Sequence, residues 1–187
     1  MNPEAVSLVF TGHMTDTPDR QPPRFPPELE DAARLAIAQR VGRYCRLRNG
    51  ADIRGFASLA RGGDILFHEV CRSLGIDTVI VLPFAPDRFV KISVEGSEAG
   101  DWARRFEKLW NETDPGFRYD LGLVPCDDAF AICNDRLLSL AQQYGEVRLI
   151  ALWDGTGGDR RGGTGDFIER VAGIASPPDI IHPQDLL

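Results

Sequence analysis

The chain has 187 residues, 21 Lys and Arg against 28 Asp and Glu, a net charge of -7 and 43% hydrophobic residues. That length suits one domain with a substantial core. The acidic balance argues against a protein whose main task is gripping a nucleic acid backbone. No apolar run reaches the roughly 18 residues of a membrane-spanning helix, and no basic-then-apolar start marks a secretory signal.

Val6 to Phe10 (VSLVF) reads as a buried first strand that ends in Thr11-Gly12-His13. Strand ends of this kind are where α/β proteins place ligand-binding loops. Residues 14–27 (MTDTPDRQPPRFPP) are rich in proline, so no helix runs through them. A connection of this length is expected to act as a lid over the first strand's end. Glu28 to Leu47 carries Leu29, Ala32, Ala33, Ala36, Ile37, Val41, Tyr44 and Cys45 at helical spacing, with acidic residues at its start and Asn49-Gly50 as its stop.

Ala51 to Ala57 (ADIRGFA) is a short second strand, followed by a glycine-containing junction from Gly55 to Asp64. A helix over Ile65 to Leu74 and a buried strand over Thr78 to Leu82 (TVIVL) come next. Alternating strands and helices predict a three-layer α/β Rossmann-like domain with a mainly parallel sheet and right-handed crossovers. Beyond Asp87 to Val94, Gly100 to Asn111 reads as a helix with Trp102, Phe106, Leu109 and Trp110 on roughly one face, expected to be core. Thr113 to Tyr119 is turn-like and Leu121 to Val124 is a candidate strand. Asp127 to Tyr144 is a second long helix capped by Asp127 or Asp128, Val147 to Trp153 a strand, and Ile180-Ile181 a short edge strand.

The most informative stretch is Trp153 to Asp166, WDGTGGDRRGGTGD, in which six of the twelve residues from Asp154 to Gly165 are glycine. It lies between the strand and a helix over Asp166 to Ala172. Glycines bring backbone amides close to a ligand, and a helix N-terminus adds unpaired donors and a positive dipole end. Arg160 and Arg161 add positive charge, and Asp154, Asp159 and Asp166 are placed to accept from sugar hydroxyls. Three strand ends therefore carry Gly, or Gly with Asp, and in a parallel sheet they share one edge. That combination points to a nucleotide-derived small molecule.

Other chemistries have weaker signals. Cys45, Cys71, Cys126 and Cys133 form no CxxC and read as free thiols in a reducing cytoplasm. His13, His68 and His182 lack zinc-site spacing, so neither a metal nor a resident cofactor is expected. Ser58 lies in GFASLA, which is not a nucleophile elbow. Glu69 and Glu169 each follow a glycine junction by one or two helical turns, from where a carboxylate can face a bound sugar.

Arg161 to Glu169 reads RGGTGDFIE. It resembles the PGGxGTxxE motif of the SLOG superfamily, the Rossmann-like group of LOG phosphoribohydrolases and nucleotide-sensor domains of bacterial defence proteins. Gly162, Gly163, Gly165 and Glu169 fit that motif, while Arg161 stands for its proline and Asp166 for its threonine. A closer likeness, to a subgroup fused to repeat or signalling domains, rests on TGHM at 11–14, GFASLARGGD at 55–64 and VLPF at 81–84. It extends through FVKISV at 89–94, DWARRF at 101–106, ND at 134–135 and the loop at 153–166.

The resemblance covers most of the chain and implies binding or sensing of ADP-ribose, an NAD derivative or a related nucleotide. Gly12, His13, Gly55, Ser58, Gly63, Asp64, Asp154, Gly155, Arg160, Gly162, Gly163, Thr164 and Asp166 are the expected ligand-binding residues. It also implies a homo-oligomer or fusion to an effector. The alternative is LOG-type hydrolysis of an N-glycosidic bond, with Glu169 stabilising the ribosyl cation and Arg136 holding phosphate. The missing threonine counts against it.

Overall fold

The computed structural model describes residues 5–47, 51–96, 100–126, 128–156 and 161–186. Six strands, β1 (Val6–Gly12), β2 (Ile53–Ala57), β3 (Thr78–Leu82), β4 (Arg118–Asp120), β5 (Glu146–Leu152) and β6 (Asp179–Ile181), form one sheet. Their order is β4-β3-β2-β1-β5-β6 and every pairing is parallel. The helices are α1 (Glu30–Leu47), α2 (Gly63–Ser73), the single turn α3 (Pro86–Phe89), α4 (Trp102–Glu112), α5 (Ala129–Tyr144) and α6 (Thr164–Val171). A π turn, Val90–Val94, continues from α3. No helix among the described residues is long and apolar enough to cross a membrane.

Strand periodicity explains the three layers. Alternate side chains point to opposite faces of a sheet. Val6, Leu8 and Phe10 join Ile80, Leu82, Ile150 and Leu152 in a core covered by α1, α2 and α4. Val9, Val79, Val81, Val147 and Leu149 face the other way, toward α5 and α6. Strands buried on both faces read as unbroken apolar runs, as VSLVF and TVIVL do. Phe10 stacks on Phe67 at 4.9 Å, which ties the central strand to α2 and contributes about 1 kcal/mol beyond area burial.

Four charged side chains bind the helices of the first layer to one another. Arg34 pairs with Glu69 at 2.6 Å and Glu30 at 3.2 Å, and Arg105 pairs with Glu30 at 2.7 Å and Glu69 at 2.8 Å. The Arg105 guanidinium also lies 4.0 Å over the Trp102 ring. Glu69 is thus a structural joint between α1, α2 and α4. Burial opposes its ionisation, but Arg105 and then Arg34 outweigh that and hold its carboxyl below the usual range.

Two sequence expectations shift. The fourth strand is Arg118–Asp120, and Leu121 to Val124 runs on as irregular chain whose Leu121 and Leu123 amides donate to Leu82 and Pro83. Asn49, Gly50 and Asp127, expected at helix ends, lie outside the described residues.

The ion-pair square has a stability consequence. Glu69→Ala leaves two guanidiniums without one of the two carboxylates they share and is expected to cost about 1–2 kcal/mol in urea denaturation. Because the folded carboxyl titrates low, this contribution is fully present above pH 4.5 and disappears as pH falls through the folded value. Wild type and variant should therefore converge in acid.

Candidate functional site

Chain connections leave β1 and β5 in opposite directions, toward β2 and β6, so a crevice forms at their adjacent carboxyl ends. In open parallel sheets, ligands bind in the crevice outside the carboxyl ends of strands whose connections diverge in this way. At this edge the His13 amide donates to the Leu152 carbonyl at 3.0 Å, and the Gly63 amide donates to the His13 carbonyl at 3.1 Å. The Asp154 amide donates to His13 Nε2 at 3.1 Å. The ends of β1 and β5 and the start of α2 are thereby joined through His13, which is buried.

Gly62 makes the α2 contact possible. It has φ +85°, and a Cβ there would lie 2.5 Å from the Thr15 amide nitrogen. Gly162 plays the same part at the neighbouring junction, with φ +86° and an added Cβ 2.5 Å from the Ala131 nitrogen. This lets the start of α6 press against the start of α5, where Asn134 Nδ2 donates to the Gly162 carbonyl at 3.0 Å. Positive φ with no room for a side chain leaves only glycine at either place.

Asp154 is the most heavily engaged carboxylate of the edge. It accepts from Arg24 Nε at 2.9 Å, from the Thr156 amide at 3.0 Å and from the Thr156 hydroxyl at 2.8 Å. His13 Nε2 also lies 3.1 Å from its Oδ1. That contact becomes a hydrogen bond only when the ring takes a second proton, because in the neutral ring Nε2 accepts from the Asp154 amide. Burial pushes the Asp154 carboxyl up, but Arg24, Thr156 and His13 together hold it well below the ordinary carboxylate range.

Arg24 belongs to the proline-rich connection. Asp16 closes that loop on itself: its Oδ2 accepts the Arg24 and Phe25 amides at 2.7 and 2.8 Å, and its amide donates to the Phe25 carbonyl at 2.9 Å. Phe25 is anchored in the core. The lid expectation therefore divides. Residues 18–23 are exposed, and the return limb at Arg24 reaches the strand end. Arg61, also buried, fastens the other limb by donating to the Thr15 carbonyl at 3.0 Å.

The remaining expected residues fall into three groups. Gly163, Thr164 and Gly165 open α6, and their amides precede or flank the first helical bond, from Phe167 to the Gly163 carbonyl. Thr164 is buried, and the Trp153 ring lies against Gly165. Asp166 turns back to accept from the Gly162 amide at 2.9 Å and from Arg170 Nε at 2.8 Å, so it caps its own helix. Gly155 is exposed with φ +79°, and Ser58 follows β2, its carbonyl accepting from His68 Nε2 at 2.8 Å. Gly12 ends β1. Arg160 and Asp159 lie outside the described residues.

Three expectations are corrected. Gly55 is not on a loop: it sits inside β2, paired with Leu8 and Thr78, and Phe67 and Thr78 fill the space beside it. Glu169 is exposed, because Thr164, Phe167 and Val171 form the buried stripe of α6 and residue 169 falls on the opposite side. Arg136 is exposed on α5, 5.7 Å over the Tyr119 ring at the β4 edge. The proposed hydrolytic pair thus stands on the outer faces of two helices, with Arg136 against a strand four places away from β5.

The chain matches no protein-family model, and neither a curated protein nor a solved structure matches it significantly. The geometry of the site stands on its own.

Asp64 supplies the site's unusual proton. It is buried at the first turn of α2, where its Oδ2 accepts from the Ala60 amide at 3.2 Å. Burial pushes its carboxyl up to about 7, against the opposing pull of that hydrogen bond. The folded protein keeps a proton that the unfolded chain releases near pH 3.8, so stability falls as pH rises from there to about 7 and the penalty is then constant. Asp64→Asn keeps the acceptor and removes the penalty. It is expected to be more stable than wild type at pH 8, by on the order of 2 kcal/mol, with the difference vanishing toward pH 4. Thermal melts across that range would show parallel curves if Asp64 were ionised in the fold.

Proposed function

We propose that this chain is a SLOG-like module that binds a nucleotide-derived ligand, such as ADP-ribose or a related NAD derivative, at the carboxyl edge of its sheet. The observation that carries this reading is the meeting of three glycine junctions at the β1–β5 switch point, with the α6 N-terminus opening onto it. Such an arrangement suits a phosphate: first-turn amides of a helix are unpaired donors, and the helix dipole favours an anion. Thr164 adds a hydroxyl at the first helical position. Asp154 is already saturated by internal partners. In this reading it holds the proline-rich connection in place, and the Gly155 backbone faces the sugar.

Binding without turnover is favoured over hydrolysis. The two residues expected to carry cleavage, Glu169 and Arg136, are both exposed and lie on different helices. A module that binds without turnover reports through a second copy or through an attached effector, and that is the role proposed here.

The test is a thermal-shift panel of ADP-ribose, NAD, AMP and cyclic dinucleotides, paired with mass-spectrometric detection of released base. A cognate ligand at tens of times its dissociation constant should stabilise the protein by roughly 2 kcal/mol. Thr164→Val should weaken that ligand about tenfold, the value of a lost hydrogen bond to a charged group. No base should appear. Release of base that depends on Glu169 would reverse the assignment in favour of hydrolysis, and a panel without any stabilisation would remove the nucleotide reading.

A further inference from the structure

The aspartates that shape the carboxyl edge differ in one respect. Asp16, Asp154 and Asp166 each have an arginine, with Arg20 at 3.3 Å, Arg24 at 2.9 Å and Arg170 at 2.8 Å. Asp64 is buried as well, yet no cation among the described residues pairs with it. The titratable groups packed around it are engaged elsewhere or neutral. His13, at the end of β1, turns its ring to Asp154. Arg61 spends Nε on the Thr15 carbonyl and Nη1 on the Glu95 carbonyl. One turn along α2, burial keeps the His68 ring neutral at pH 7. On α5, burial and then the nearby Asp64 carboxyl push the Cys133 thiol up.

The two oxygens of Asp64 have different surroundings. Oδ2 accepts from the Ala60 amide at 3.2 Å, so it is the carbonyl oxygen of the acid and the proton sits on Oδ1. A single long amide bond does not hold a buried carboxylate charged; such groups collect two or three donors. Oδ1 has no partner among the described residues. Unlike the Thr15 hydroxyl, which is unpartnered and sealed, it is not enclosed, and Asp64 keeps 8% of its surface. Asn134, next to Cys133, donates to the Gly162 carbonyl, so Asp64 and the start of α6 flank the same stretch of α5.

We propose that Asp64 meets the ligand as an acid: its Oδ1–H donates to an anionic phosphoryl oxygen, and binding is therefore coupled to uptake of a proton. This rests on the nucleotide reading above and gives one of its aspartates the opposite role from accepting a sugar hydroxyl. An ionised carboxylate would repel the guest, whereas the guest's own charge favours the protonated form. Carboxyls kept neutral by an apolar enclosure serve as donors to anionic oxygens in this way.

Calorimetry with ADP-ribose tests it, because the two phosphoryl groups of that probe keep their charge between pH 6 and pH 8. Burial moves the Asp64 titration up to about 7. The acid form binds and dominates below that pH, and the ionised form dominates above it. The wild-type dissociation constant should rise roughly tenfold from pH 6 to pH 8. At pH 7.5, titrations in buffers of different ionisation enthalpy should show net proton uptake on binding. Asp64→Asn puts an amide donor in the same place; it should bind equally well at both pH values and take up no proton. Wild-type affinity that is flat or strengthens as pH rises, absence of proton uptake, or an Asn variant that keeps the wild-type slope would overturn the role of Asp64 and leave the nucleotide site standing. ADP-ribose that binds at neither pH would overturn this inference together with ADP-ribose as the ligand.

Discussion

The Asp154 carboxylate is the joint on which the carboxyl edge of this sheet is assembled. It sits where β5 ends, receives Arg24 from a connection 130 residues earlier, and lies against the His13 ring at the end of β1. Through Arg24 it ties the proline-rich connection to the end of β5. Its low proton affinity follows from the same contacts. The interaction is partly buried, so water screens it far less than a surface pair.

A division of labour among the charged and polar groups follows. Asp16, Asp154 and Asp166 spend their oxygens on backbone amides and arginines of the chain itself. They shape loops and leave little for a guest. The groups left open are backbone ones, the first-turn amides of α6 beside Thr164. An edge that presents amides on a frame of internally satisfied carboxylates favours an anionic guest over a cation.

Much of this was legible in the sequence because it is local. Apolar runs such as TVIVL and the alternation of strands with helical stripes identify the elements, and a mainly parallel sheet follows from their order; that every pairing is parallel is seen only in the structure. The glycine junctions after β1, β2 and β5 were visible for the same reason. Long-range partnerships were not. Nothing in the spacing of residues 14–27 says that Arg24 meets Asp154, or that Asp16 ties the loop closed. Gly55 reads as part of the glycine junction although it also falls within the ADIRGFA strand run, and in that strand it makes room for Phe67. Glu169 matched by position in a motif, but a helix turns 100° per residue, and the register that buries Phe167 carries Glu169 to the outside.

The central claim is that three junctions distant in sequence act as one binding surface. Hydrogen–deuterium exchange with and without ADP-ribose addresses it most directly. Concerted protection is expected in residues 12–16, 58–66 and 153–166, with α4 and the β4 edge unchanged. Protection confined to one of these junctions, or appearing at the β4 edge instead, would contradict it.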